Sequence, residues 1–347
     1  MRAKRWWGHP PNFVNFFRGP QCGFVHDNVL PPEVPRRPIS SYGASIASCR
    51  SATRVAEYKS GMSVLSREES LALDVTATNR RYWDGLAAVH GNGTDAYYDV
   101  AALLAGRSAM TEIEEEALAA AGGVSGRDVL HVQCHIGFDA ITFAQRGARV
   151  TGVDFSPVAL AKAAALGERA GVTVNWVAAN TLALPSTLSR RFDVAYASIG
   201  AICWIGDLQR WMREVAGTLR LDGGRLVLVD LHPAYGMVDR REPLEVTFPY
   251  AFDGPHAYRT TSSYAGPALA PDATVNVAYA HDLGEIVNAA IAAGLRIELL
   301  REHLSCAFDP RGNVAAREAD GRYRFRLGTG PGHPIPMLFT LVASLPA

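Results

Sequence analysis

Between Asp128 and His232 five short valine-rich apolar runs are interleaved with three stretches of helical period, and no other feature narrows the fold so far. The runs DVLHVQ (128–133), ARVTGVD (148–154), VTVNWVAA (172–179), FDVAYAS (192–198) and RLVLVDLH (225–232) read as strands. FDAITFAQRG, PVALAKAAALGERAG with Pro157 in its first turn, and LQRWMREVAGTLR (208–220) read as helices, the last with Leu208, Trp211, Met212, Val215 and Leu219 on one face. Strands that alternate with helices pair in parallel, because each crossover returns the chain to the same end of the sheet. After about fifty less regular residues a helix (HDLGEIVNAAIAAG) and two strands (LRIELLREHL, IPMLFTLVASL) follow. The expected fold is α/β: a doubly wound, seven-stranded, mostly parallel sheet with an antiparallel edge, a helical N-terminal cap and a small β insertion.

Residues 1–61 interleave Pro, Gly, Ser and Arg without sustained period. They are expected to be a disordered extension, or sequence upstream of a natural start at Met62. Early prolines and Trp6-Trp7 suit an organelle-targeting helix badly. Residues 62–123 are expected to form the cap, with helical pattern from Thr76, acids Glu112 to Glu116 early in a helix, and Gly122-Gly123 closing it. The domain proper is expected over 124–347, with insertions near 233–280 and 303–334. LEVTFPYAF, AYRTTSSYAG and ATVNVAYAH give the first a strand-like composition, whereas the second reads as a loop rich in Gly, Pro and Arg.

A chain of 347 residues, 48% hydrophobic, can bury a large core. Its formal charge of +0 argues against attachment to nucleic acid or anionic membrane by bulk electrostatics. No apolar run reaches the roughly 18 residues of a membrane-spanning helix. Five widely spaced cysteines without a CxxC pair suit reduced thiols, so a cytoplasmic protein is expected.

Ligands of a doubly wound sheet lie outside the carboxyl ends of its strands, where strand order reverses, so the loop after the first strand matters most. It runs Gln133, Cys134, His135, Ile136, Gly137, and only the last glycine of a dinucleotide-binding fingerprint remains. Gln133 is therefore expected at ordinary negative φ, because a side chain at positive φ is strained. His131, Cys134 and His135 fall within five positions, yet HxxCH lacks the paired-cysteine rhythm of structural zinc, and no metal site is expected. Cys134, like Cys203 and Cys306, reads as a small buried hydrophobe. Asp154 ends the second strand, where a carboxylate accepts both hydroxyls of a ribose. The competing role, capping the next helix, is open to Ser156.

VLHVQCHIGFDAITFAQRGARVTGVDFSPVALAKA, WVAANTLALP, RFDVAYASIGAICWIGDLQRW, LDGGRLVLVDLHP and HDLGEIVNAAIAAGLRI together resemble the class I S-adenosylmethionine-dependent methyltransferases, over about residues 79–345. They are most similar to a bacterial subgroup with an HxQCHxG first loop. The resemblance implies a Rossmann-like sheet and S-adenosylmethionine as cofactor. It implies that Gln133, Cys134, His135 and Gly137 pass beneath the methionine part and that Asp154 takes the ribose hydroxyls. It also implies Phe155 beside the adenine, Asn180 and Thr181 at the adenine amino group, and Ser198 and Ile199 facing the methionine and methyl. The carbonyl of Asn180 is expected to accept from that amino group. His131 stands where the family usually carries an acid that helps hold the cofactor's ammonium group. A neutral imidazole brings no charge, so Asp139 and Asp84 are candidates to supply it.

Methyl transfer is an in-line displacement, so alignment matters more than reactive groups, with a base added only when the acceptor holds a proton. His232, ending the fifth strand, is the best-placed base candidate, with an imidazole bound to loop backbone as the equal alternative. Tyr82, Trp83, Tyr97 and Tyr98 roof the pocket or pack the cap; Trp204 and His281 are further lining candidates. The expected activity is methyl transfer to a small molecule, with no nucleic-acid or membrane partner and a homodimer left open. Two alternatives remain: a nicotinamide-dependent oxidoreductase on the same sheet, which the missing GxGxxG disfavours, and a member that binds the cofactor without methylating.

Overall fold

Each valine-rich run becomes a strand. The computed structural model describes residues 62–93, 97–240, 244–266, 268–310 and 314–346, so the extension expected over residues 1–61 lies outside the described residues. The main sheet comprises β1 (Asp128–Val132), β2 (Arg149–Asp154), β3 (Val174–Ala178), β4 (Val194–Ser198), β5 (Arg225–Leu231), β6 (Arg296–His303) and β7 (Leu338–Ser344). Its order is β6-β7-β5-β4-β1-β2-β3. Neighbours from β5 to β3 pair in parallel, while β7 runs antiparallel to both β5 and β6. The antiparallel edge arises because β7 enters between β5 and β6, and all seven of its residues are buried.

Six helices matter for the site: α1 (Val75–Val89), α2 (Glu112–Ala120), α3 (Phe138–Gln145), α4 (Pro157–Arg169), α5 (Leu208–Thr218) and α6 (Leu283–Ala292). Asp74, Thr111, Ser156, Asp207 and Asp282 start five of them by accepting a backbone N–H of the first turn, worth about 1 kcal/mol each. Leu208, Trp211, Met212 and Val215 of α5 join Ile286 and Ala289 of α6 in one cluster beside the sheet. Ile113 and Leu118 of α2 join Phe143 of α3 in another, with Val129, Tyr196 and Val227. Burial of each large apolar side chain contributes about 1.5–3 kcal/mol.

The first insertion does not stand alone. Its strand His256–Thr260 pairs antiparallel with Val275–Ala278 on one side and with Met62–Val64, from the start of the cap, on the other. Buried Asn79 of α1 fastens this sheet to the cap: its amide donates to Val277 O and its carbonyl accepts from Val277 N, both at 2.8 Å. Gly85 lets α1 approach closely, since a Cβ there would sit 2.3 Å from Ala273 Cβ. The second insertion, expected as a loop, instead forms an antiparallel ribbon of Ala316–Arg317, Tyr323–Leu327 and His333–Ile335. Its middle strand YRFRL buries Phe325 against Tyr235, 5.6 Å between rings, while Arg324 and Arg326 pair outside with Glu318.

Candidate active site

β1 lies between β2 and β4, with crossovers departing in opposite directions, so a crevice opens beyond its carboxyl end. The loop there departs from expectation: Gln133 has φ 57° and His135 φ 49°, both left-handed. Such backbone costs of order 1–3 kcal/mol at each residue and persists only when its surroundings fix it. They do so at Gln133, whose amide nitrogen donates to Ala201 O at 2.9 Å while its oxygen accepts from Trp211 Nε1 at 3.1 Å. His135 is fixed through its backbone N–H, which donates to Asp154 Oδ2 at 2.8 Å. Cys134 packs inward, and burial with the nearby Asp154 carboxylate pushes its thiol well above the usual range, so it stays protonated. Gly137, at φ 78°, caps α3 where any Cβ would collide with Trp176.

Asp154 ties the first two loops together. Its second oxygen accepts from Ser156 N at 2.9 Å, and burial raises its carboxyl to about 6 against those backbone bonds. Ser156, not Asp154, caps α4 through Ala159 N, and its hydroxyl donates to Asp84 Oδ1 at 2.5 Å. Phe155 is half-buried beside them. Asn180 is also half-buried, but its carbonyl already accepts from Leu182 N at 2.9 Å, so it forms a turn of its own and has one lone pair left for a ligand. Thr181 next to it is buried.

Behind the loop, His131 is only 4% exposed and lies against the rings of Tyr196 (5.4 Å) and Phe143 (6.1 Å). Burial lowers it to about 3, so it is neutral, and its Nδ1 has no hydrogen-bond partner among the described residues. Asp139 of α3 comes within 3.9 Å of His131 Nε2 and accepts from Ser198 Oγ at 3.0 Å, with Ile199 following at the end of β4. Burial, helped by buried Glu114, raises Asp139 to about 7. Of the two carboxylates considered for the missing charge, Asp139 is therefore the one beside His131; Asp84 is engaged with Ser156.

Candidate lining residues converge from separate segments. Trp83 stands 5.1 Å from His135 and 5.3 Å from Trp204, and Tyr82 lies 5.7 Å from Trp204. Tyr98 packs on His90 (4.8 Å) and Phe138 (5.1 Å), whereas Tyr97 is 51% exposed. His281 is held by Ile205 O and Glu285. His232 makes the backbone bond that was the alternative to a role as base. Its Nδ1 lone pair accepts from Ala234 N at 3.1 Å to start a short helix, and Nε2 sits 2.8 Å from Glu302. Replacement by Ala is expected to cost about 1 kcal/mol and replacement by Asn, also a good cap, much less, read from urea unfolding midpoints.

Asp230 was overlooked. Its buried carboxylate accepts from the backbone of Gly200, Ala201 and Ile202 at 2.6–3.0 Å and so shapes the loop after β4 that also binds Gln133. An acid inside the apolar run RLVLVDL was the available signal, because a buried carboxylate requires such donors.

With this geometry in view, residues 129–223 match the family model described as a methyltransferase domain. The chain carries a methyltransferase domain, whose matched part runs from β1 through α5. S-adenosylmethionine is the cofactor of this class, and methyl transfer its reaction. Among curated proteins nothing matches the chain. Similar solved structures include S-adenosylmethionine-dependent methyltransferases from Mesorhizobium loti (20% identity, 66% of this chain and 96% of that one, TM-score 0.43) and Clostridium acetobutylicum (14%, 68% and 89%, TM-score 0.45). These distant likenesses carry no weight in assigning residues of the methyltransferase. Among the described residues, no helix is long and apolar enough to cross a membrane.

Proposed function

We infer that the methyltransferase moves a methyl group from S-adenosylmethionine to a small molecule, holding the cofactor along Gln133–Gly137 between β1, β2 and β4. The observation that carries this reading is Asp154: a buried carboxylate at the end of β2, bound by the backbone of the loop after β1, in the crevice where strand order reverses. The residues present fit that cofactor. Asp154 keeps lone pairs for ribose hydroxyls, Phe155, Asn180 and Thr181 border the adenine side, and Ser198 and Ile199 close the methionine side. Bound there, the cofactor supplies a methyl carried on a sulfonium, open to in-line attack.

Asp139, oriented by Ser198, takes the role of ammonium anchor that His131 cannot fill. The HxQCHxG loop belongs to this reading: the family's acid has moved from strand to helix. Neutral net charge supports a small acceptor over a nucleic acid, and reduced thiols support a cytoplasmic location.

Calorimetric titration with S-adenosylmethionine tests the assignment: saturation at one site per chain is expected, and saturation by NADH in its place would support an oxidoreductase. The same titration has a pH signature. Asp139 is protonated below about 7 and cannot then meet an ammonium group, so affinity should rise between pH 6 and 8. Binding at pH 6 should release protons, seen as heats that vary with the buffer. Asp139→Asn should flatten the profile. Stability runs the other way: the folded chain keeps a proton that the unfolded chain loses above its ordinary value of 3.8, so this group's contribution declines as pH rises from about 4 to about 7.

A further inference from the structure

Three segments far apart in sequence meet at His90. His90 ends α1, His135 stands in the loop after β1, and Ser263 belongs to the first insertion. His135 Nε2 is 2.8 Å from His90 Nδ1, and His90 Nε2 is 2.5 Å from Ser263 Oγ, which also accepts from Ala265 N. A neutral imidazole has one donor and one acceptor nitrogen, so the row has two consistent polarities. In the polarity that suits a base, His90 donates to Ser263 and accepts at Nδ1 from His135 Nε2–H, with Tyr264 Oη 3.5 Å from the same nitrogen, and a bare lone pair is left on His135 Nδ1; the reverse polarity would leave an N–H there. That nitrogen is shielded and has no partner among the described residues. An unsatisfied buried group of this kind is costly, and a bound proton donor removes the cost.

The backbone of His135 turns to Asp154, but its ring faces the cap, edge-on to Trp83 at 5.1 Å and tilted to Tyr98 at 5.8 Å. Trp204 extends the same wall beyond Trp83. Flat π-rich faces favour a flat partner, and a single lone pair matches the single proton of a hydroxyl.

Building on the reading of this crevice as an S-adenosylmethionine site, we propose that His135 Nδ1 is the base for an aromatic hydroxyl acceptor, with His90 taking on the proton from His135 Nε2 and Ser263 accepting a hydrogen bond from His90. The acceptor's O–H bond breaks as its oxygen bonds to the methyl and the sulfur–methyl bond breaks. The O–H electron pair stays on oxygen, and the sulfur keeps the pair of the broken bond. The proton goes to His135 Nδ1, and the Nε2 proton passes to His90, which becomes an imidazolium bonded to Ser263 Oγ. The positive charge lost by the sulfonium thus ends on His90. His135 is the catalytic residue; His90 positions it and carries the proton, and Ser263 positions His90.

The test uses the full chain with S-adenosylhomocysteine, 4-nitrophenol as the probe, and nitrobenzene as its counterpart without the hydroxyl. The wild type should bind 4-nitrophenol about tenfold tighter than nitrobenzene, the effect of one good hydrogen bond. In His135→Asn, which tolerates left-handed backbone, and in His90→Gln, which leaves the loop sequence intact, the two affinities should converge. In the wild-type complex the 15N resonance of His135 Nδ1 should move on adding 4-nitrophenol and not nitrobenzene, a response that a purely structural histidine lacks. Equal affinity for the two probes, weak or strong, or a resonance that stays still, overturns the relay. Failure of S-adenosylhomocysteine to bind at all would instead remove the cofactor reading beneath it.

Discussion

Asp154→Ala is expected to weaken S-adenosylmethionine binding by more than a hundredfold. A carboxylate that accepts two ribose hydroxyls makes two charge-assisted hydrogen bonds, each worth about 1.5–3 kcal/mol when the alternative is an unpaired group. The substitution also orphans the N–H of His135 and of Ser156, both of which Asp154 now satisfies. The first of these restrains a residue at φ 49°, so the loop under the cofactor should relax as well. Asp154→Asn keeps one acceptor and should fall between the two. Calorimetry on each protein, with circular dichroism to confirm the fold, gives the answer; unchanged affinity in Asp154→Ala would exclude this carboxylate from the site.

Gly137→Ala is expected to cost several kcal/mol of stability for a single methyl group, on the order of 3 kcal/mol. The added Cβ would lie 2.5 Å from Trp176 Cη2 and 2.9 Å from Ala163 Cβ, and φ is 78°. Overpacking costs about 1–3 kcal/mol and the left-handed backbone about 1 kcal/mol more, so a total near 3 kcal/mol is reasonable. In a chain of this size that lowers the melting temperature by roughly 6–12 °C. Shortening Trp176 to Leu in the Gly137→Ala background should recover the part of the loss due to Trp176 and leave the Ala163 contact and the backbone part. A melting temperature within 2 °C of wild type, on the order of 1 kcal/mol or less, would mean that Trp176 moves aside freely.

The sheet was legible because one rule, apolar residues at strand period between helical stretches, acts locally and repeats. Asp154 was legible for the same reason: its place at the end of β2 follows from the strand. Gln133 was not, because its left-handed backbone is held by Ala201 and Trp211, 68 and 78 residues away. The choice between Asp139 and Asp84 likewise depended on which one folding brings to His131. His232 was expected to end the fifth strand but lies one residue past it, where the backbone of Ala234 claims its Nδ1 lone pair, and no spacing rule reveals that. The ribbon around Phe325 was hidden by the glycines and prolines of its turns, which drew attention away from the alternation in YRFRL.

The pairing of Met62–Val64 with His256–Thr260 has a consequence for how the protein is made. Met62 meets Thr260, so the first strand of the cap leaves the ribosome almost two hundred residues ahead of its partner. At translation rates of roughly 5–20 residues per second it waits on the order of 10–40 s with its backbone groups unpaired. Asn79 waits as long for Val277. The wall that carries Trp83 therefore closes only after the nucleotide-type sheet through β5 has been synthesised, and a nascent chain halted before residue 260 has the crevice but not its roof.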